Sequence, residues 1–327
     1  MRIGVIGAGA IGGLLAARLA AAGLAVTVVE RGEQLAAIRG RGLRLVGAGH
    51  PEVHVRVRAV SSPAEAGEQD LVVLGVKAHE IAVIAPHVGR MLAADGVVMT
   101  TQNGIPWWYF AKQPGEHLGR SLASVDPGGL VAAALPVERV IGCVVYPAAE
   151  VTEPGVIRLT EGNRLSLSEI DGAPTERIEL VSQIFRRAGF KAPVVSAIRD
   201  EIWLKLLGSA SFNPVSALTG ATMAAVARHP SGRELVVALM RETRAVGERL
   251  GVVFPISNER RIAGAEAAGD HRTSMLRDVE ARRPTEADAI LGAVREIGAL
   301  VAVPTPTIDA VHRCMKLLED GYRPDDA

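Results

Sequence analysis

Residues 2–29 read RIGVIGAGAIGGLLAARLAAAGLAVTVV. Arg2 to Ile6 is a short apolar run that ends at Gly7, and behind it Ile11, Leu14, Leu15, Leu19 and Ala22 recur on one helical face. Gly23 closes that helix, and Leu24 to Val29 is a second run of aliphatic and β-branched residues. Strand, glycine turn, helix and strand within about thirty residues make a βαβ unit. Gly7, Ala8, Gly9, Ala10, Ile11 and Gly12 fit the pattern G-x-G-x-x-G where that pattern has meaning, after a strand and opening a helix. The first glycine permits the tight turn, the second lets the backbone approach a pyrophosphate, and the third allows close packing of helix on strand. The helix N-terminus adds free N–H groups and the positive end of a dipole. The segment is therefore a candidate dinucleotide-binding loop in an α/β fold; the plainer alternative is a tight turn with no ligand.

Working outward, Glu30 follows the second strand, 18 residues after Gly12, where an acidic side chain accepts from a ribose 2′-OH and favours NAD. Arg31 is next and suits a 2′-phosphate, which favours NADP. On these residues alone the choice stays open. Leu43–Val46 and Val53–Val57 read as a half-exposed hairpin with a Gly-rich loop. Leu71–Val76 and Val97–Thr101 read as buried strands whose C-terminal ends carry Lys77 and Asn103, the edge that faces ligands in open α/β sheets. From Gly142 to Leu167 strand-like runs are broken at Pro147 and Pro154-Gly155, which predicts an antiparallel or mixed extension of the sheet.

The chain has 327 residues, enough for about two domains. A change to helical spacing near residue 198 divides it into 1–197 and 198–327. In the second part Ser231–Glu234 reads as a capping box, Gly251 as a helix-ending glycine, Thr285–Asp288 as the cap of another helix, and Thr307–Glu319 as a last helix before a frayed tail from Asp320. Lys plus Arg and Asp plus Glu are both 36, so no basic excess exists to bind nucleic acid. Two cysteines, Cys143 and Cys314, argue against a disulfide framework and fit a reducing cytoplasm. The scattered histidines give no metal-ligand spacing, so no metal is expected. The glycine density of residues 3–17 and the following Arg18 speak against a signal sequence, and no window supplies a membrane span.

In the helical part Lys205, Ser209 and Asn213 stand four apart and form one polar stripe, with Pro214 expected to stop the helix. No charged residue lies between Leu206 and Ala227, so Lys205 borders an apolar region. One reading is an ammonium that snorkels to water; the other is a general acid that protonates a carbonyl oxygen as hydride reaches carbon. Ser274 and Glu286 bring a hydroxyl and a carboxylate near helix ends, either as caps or, for Glu286 one residue into its helix, to hold a lysine.

At Gly7–Gly12 with Arg31, Lys77, Asn103-Gly104, Trp203-x-Lys205 through Asn213-Pro214, and Ser274-Met-Leu through Glu286, the sequence resembles the ketopantoate reductase family. The resemblance implies an N-terminal Rossmann domain followed by an all-helical C-terminal domain, and NADPH-dependent reduction of 2-dehydropantoate to pantoate. NAD(H) stays open because of Glu30. It implies Lys205 as proton donor, Glu286 near the cofactor and the lysine, Asn213 and Ser274 on the substrate, and Asn103 and Ala148 on the cofactor. Ser209 and His271 replace expected asparagines, and Met223 another polar residue of the pocket. The run Trp107-Trp108-Tyr109-Phe110 lies outside the pattern, as core or as pocket lining. Two alternatives stand beside this: reduction of another, bulkier 2-oxo acid, and a dinucleotide-binding sensor without turnover. The expected partner is a small 2-oxo acid; a homodimer is left open.

Overall fold

The computed structural model describes residues 1–47 and 51–322. These fold as two units, each packed chiefly on itself. The first is Met1–Gln102, Trp107–Ser121 and Gly128–Ile198; the second is Asn103–Pro106, Leu122–Pro127 and Arg199 onward. Two short segments after the strand that ends at Thr100 group with the helical unit, which otherwise begins at Arg199.

The first unit runs β1 (Arg2–Ile6), α1 (Ala10–Ala21), β2 (Ala25–Val29), α2 (Gly32–Arg41), β3 (Leu43–Val46), β4 (Val53–Val55), β5 (Arg58–Val60), α3 (Pro63–Ala66), β6 (Gln69–Leu74), α4 (Ala78–Met91), β7 (Leu92–Thr100), α5 (Leu130–Ala134), β8 (Val140–Val145), β9 (Ala148–Glu153), β10 (Val156–Glu161), β11 (Leu165–Glu169) and α6 (Glu176–Arg187). Its main sheet has the order β11-β8-β7-β6-β1-β2-β5, parallel from β5 to β8 with β11 antiparallel at the edge. Strands buried on both faces need near-continuous apolar sequence. Val5, Val28, Leu71, Val73 and Met99 meet that need, all fully buried with Leu14, Leu15 and Leu19 of α1. Strand order reverses beside β1, so the C-terminal ends of β1 and β6 form the switch point at which open α/β sheets bind ligands.

The expected hairpin is present, with Leu43 opposite Val55; its loop tip at 48–50 lies outside the described residues. The segment after Gly142 behaves differently from the expectation. Only β8 and β11 extend the main sheet; β9 and β10 join the hairpin in a second sheet, β4-β3-β10-β9. Gly13 explains how that sheet lies on α1, since a Cβ there would stand 2.7 Å from the Ile157 side chain. Trp107, Trp108, Tyr109 and Phe110 are core: all four are buried, and Trp108 packs against Gly142 of β8.

The second unit contains α7 (Ile198–Thr219), α8 (Met223–Arg228), α9 (Pro230–Arg249), α10 (Asn258–Ala267), α11 (Ser274–Glu280), a π-helical turn (Asp288–Gly292), α12 (Ala293–Leu300) and α13 (Pro306–Asp320). Pro214 does not end α7, which continues to Thr219. Burial of Leu206, Leu207, Ala210, Phe212, Val215 and Ala217 holds the helix together across the hydrogen bond that proline cannot make. The capping box at Ser231 is also absent: α9 begins at Pro230, whose fixed φ suits the first helical position and draws the start two residues earlier. Glu242 of α9 caps α13, accepting the Thr307 and Ile308 N–H groups at 2.9 Å each. The residues of the expected tail beyond 322 lie outside the described set.

Candidate active site

In the first unit the glycine loop has the geometry its sequence requires. Gly7 adopts φ +82°, a left-handed conformation open to glycine. A Cβ on Gly12 would run into the Gly7 carbonyl oxygen and stand 3.3 Å from Gly75 Cα, so α1 starts directly against the ends of β1 and β6. Gly9 differs: a Cβ there would meet nothing within 4 Å, which leaves open space above the loop. The α1 N-terminus carries no side-chain cap and no acidic residue in its first turn, so among the described residues no side chain competes for the N–H groups of Ala10 and Ile11.

Glu30 turns back into this loop. Its Oε2 accepts the Ala8 N–H at 2.5 Å and its Oε1 the Arg31 N–H at 2.9 Å. Gln34 completes the support, donating to Ala8 O at 2.6 Å and accepting the Gly155 N–H at 2.8 Å. Arg31 itself is exposed, immediately before α2. Lys77 follows the β6 end and precedes α4, its N–H bound to Glu80 at 2.9 Å. Ala148 begins β9 of the second sheet.

In the second unit Lys205 and Ser209 share one face of α7, as their spacing predicts, with the half-buried Asn213 side chain one turn further on. The Lys205 ammonium donates to Asn103 Oδ1 at 2.8 Å. Asn103 Nδ2 donates to Glu286 Oε2 at 2.8 Å, and the Asn103 N–H to Glu286 Oε1 at 3.3 Å. Glu286 is 5% exposed. Lysine and glutamate were expected together; the asparagine that links them, 102 and 183 residues away in sequence, was expected on the cofactor. Its place is fixed by a close backbone approach: Ile105 N–H donates to Ala289 O at 2.9 Å, and Gly104, at φ +81°, leaves no room for a Cβ against that same carbonyl.

Glu286 precedes the helical turn instead of lying inside it, and Thr285 acts at the start of that helix, its Oγ1 accepting the Ala287 N–H at 3.2 Å. Asp288 does not reach back to Thr285; the Thr285 N–H and hydroxyl both go to Glu319 of α13. Asp288 instead accepts from His312 and Lys316. The His312 hydrogen bond, opposed by burial and reinforced by Lys316, holds the Asp288 carboxyl down at about 2. Burial presses the Lys316 ammonium downward, but its bonds to Asp288 and Glu319 together outweigh this and raise it.

The substrate-side candidates divide. Ser209 spends its hydroxyl hydrogen within its own helix, with Lys205 O at 3.3 Å and Leu206 O at 3.4 Å. Ser274 is exposed, and the cap of α11 is Thr273, which accepts the Leu276 N–H at 3.1 Å. His271 is half-buried and its carbonyl accepts the Met223 N–H, so two of the altered pocket positions are neighbours.

Family models agree with this architecture over both units: "Ketopantoate reductase PanE/ApbA" matches residues 3–172 and its C-terminal counterpart residues 197–319. The chain belongs to the ketopantoate reductase family. A 2-dehydropantoate 2-reductase of Mesorhizobium japonicum is 50% identical over 97% of this chain and 98% of its own length. The Archaeoglobus fulgidus protein of the same name is 30% identical over 91% and 90%. A solved structure from Ralstonia solanacearum, 40% identical, superposes with a TM-score of 0.92 and covers 98% of both chains. As a ketopantoate reductase family member the chain is an oxidoreductase acting on a CH–OH group, a dinucleotide-binding enzyme with a small-molecule substrate. Among the described residues no helix is long and apolar enough to cross a membrane. Two contacts escaped sequence reasoning in this family member, the Asn103 link and the Glu319 anchor. Both depend on pairings of distant segments that no local pattern announces.

Proposed function

We propose that the protein reduces 2-dehydropantoate to pantoate in the cytoplasm with NADPH, Lys205 giving the proton. The observation that carries this is the hydrogen-bonded series Lys205–Asn103–Glu286, a buried carboxylate and an amide that hold an ammonium at the edge of an apolar region. The loop at Gly7–Gly12 suits a dinucleotide: the space above Gly9 admits a pyrophosphate, and the uncapped α1 N-terminus faces it with free N–H groups. A bound nicotinamide cofactor supplies hydride to the keto carbon. As the carbonyl π electrons move to oxygen, Lys205 Nζ gives that oxygen a proton and is left neutral, to be reprotonated by water. Asn103 fixes the ammonium before the transfer, and Glu286 fixes Asn103. Asn213 and the uncommitted Ser274 hydroxyl hold the keto acid, with Ser209 and His271 beside them.

NADPH is supported over NADH by the placement of Glu30 and Arg31. Both Glu30 oxygens already take backbone N–H groups, while the Arg31 guanidinium is exposed next to them, able to meet a 2′-phosphate. The test is NADPH or NADH oxidation with a panel of 2-oxo acids, ranked by kcat/KM. Lys205→Ala is expected to lose about 10²–10⁴ in kcat. Unchanged turnover removes the lysine from the mechanism, and NADH as the better cofactor removes Arg31 from the choice. One observation favours a second reading, a bulkier 2-oxo acid: Ser209 is short and turned into its own helix. A clear preference for 2-dehydropantoate in the panel refutes it.

A further inference from the structure

Glu286 stands between two residues that α13 pins from one face. Before it, Thr285 donates its N–H at 2.8 Å and its hydroxyl at 2.5 Å to Glu319 Oε1. After it, Asp288 Oδ1 pairs with His312 Nε2 at 2.8 Å and Oδ2 with Lys316 Nζ at 2.9 Å. Lys316 closes the circuit, reaching Glu319 Oε2 at 3.0 Å. Positions 312, 316 and 319 fall on one stripe of the helix, so a single rigid element presents all three groups. Gly292 makes the approach possible: a Cβ there would already stand 3.2 Å from His312 Nε2. The π-helical turn begins at the second pin: the Ala293 N–H bonds Asp288 O, a local irregularity of the kind frequent at functional sites. The start of α13 is fixed in turn by Glu242.

We propose that Glu319, bridged to Asp288 by Lys316, is a positioning residue for the reduction. It sets the Glu286 carboxylate, and through it the Asn103 amide and the Lys205 ammonium. The proposal rests on the reading of Lys205 as proton donor. Glu319 is suited to the task because both of its oxygens are used: one holds the residue preceding Glu286, the other the lysine that holds Asp288. Thr285 is itself buried, so loss of the carboxylate leaves its N–H and hydroxyl without a partner and frees the backbone at Glu286 to rotate.

The test uses the full chain labelled with 15N-asparagine, which gives four side-chain amide pairs, those of Asn103, Asn163, Asn213 and Asn258, with Asn103→Ala assigning the relevant one. In Glu319→Ala the Asn103 pair is expected to shift or broaden, and kcat to fall by about tenfold with KM changed much less, the signature of a displaced reacting group. Glu319→Gln is expected to recover most of kcat and the parental Asn103 signal, since its amide oxygen still accepts both Thr285 donors. A folded Glu319→Ala protein with the parental Asn103 signal and kcat overturns the proposal, as does Glu319→Gln behaving no better than alanine. Should Glu319→Ala not fold, Lys316→Met is read the same way: a displaced Asn103 signal supports the proposal and a parental one overturns it. Parental turnover in Lys205→Ala overturns the proton-donor role instead, and the Asn103 signal tells the two failures apart.

Discussion

Asn103→Ala isolates the contribution of the link between lysine and carboxylate. The substitution removes the acceptor of the Lys205 ammonium at 2.8 Å and the Nδ2 donor to Glu286 at 2.8 Å, while the backbone N–H at 3.3 Å stays. Each lost bond involves a charged partner and is worth about 1.5–3 kcal/mol. The lysine is half-buried and recovers part of its loss from water; Glu286 is 5% exposed and cannot. A stability loss of about 2–3 kcal/mol follows, read as a lower urea midpoint at unchanged slope. The effect on turnover is separate: an ammonium no longer held against its acceptor is misplaced by about an ångström, for which a loss of about 10²-fold in kcat is expected. Stopped-flow oxidation of NADPH at saturating 2-dehydropantoate measures it, with the keto-acid KM taken from the same series. A kcat within about twofold of the parent, in a protein destabilised as expected, refutes the view that Asn103 places the proton donor and leaves it a packing role.

The glycines of the loop separate folding from binding. Gly9→Ala is expected to keep stability within about 1 kcal/mol, its Cβ meeting nothing within 4 Å, while weakening NADPH binding by calorimetry at least about tenfold. Gly12→Ala, whose Cβ meets the Gly7 carbonyl, is expected to lose about 3 kcal/mol or more by urea unfolding. Asp288 has a carboxyl held at about 2, below its unfolded value, so its contribution is present above about pH 4 and is lost as pH falls toward 2. With that side chain 48% exposed, screening leaves about 1 kcal/mol, and Asp288→Asn should show this deficit in urea unfolding at pH 7 but a smaller one at pH 3. Glu286→Gln, nearly the same shape, should lower kcat by less than Asn103→Ala, since only a share of its Asn103 amides turn; parental kcat in that variant contradicts the ordering role of the carboxylate.

What could be read from the sequence was local in origin. The order β1, glycine loop, α1, β2 is written within thirty residues as a change of period and three glycines, and the structure follows it closely. The Lys205–Ser209 stripe is likewise a matter of helical spacing. Failures began where a local signal met a stronger tertiary one. Pro214 marks a helix end in isolation, but the apolar residues on both sides are buried and carry the helix through. Ser231 and Glu234 have the spacing of a capping box, yet Pro230 starts the helix before them. Of the second sheet only the hairpin could be read, since Val156 pairs with Arg44 more than a hundred residues away and no period within either strand names its partner. The same holds for Asn103, whose spacing to Lys205 and Glu286 has no meaning before the chain is folded.

The direction of the Asn103 amide follows from counting donors and acceptors. A carboxylate offers only acceptors and an ammonium only donors. Between Glu286 and Lys205 the amide has one satisfactory orientation, nitrogen toward the carboxylate and oxygen toward the lysine, and the flipped arrangement would set oxygen against oxygen and donor against donor. Glu286 therefore does more than fill a buried position. By accepting from both the side chain and the backbone N–H of Asn103, it fixes where the amide oxygen points. A glutamine at 286 presents one acceptor and one donor, which allows either orientation of Asn103 and lets a share of the molecules turn NH2 toward the ammonium. The negative charge of Glu286 thus acts on Lys205 through geometry as well as through the field, and an asparagine that is neutral itself passes that order on without taking the proton the lysine must give.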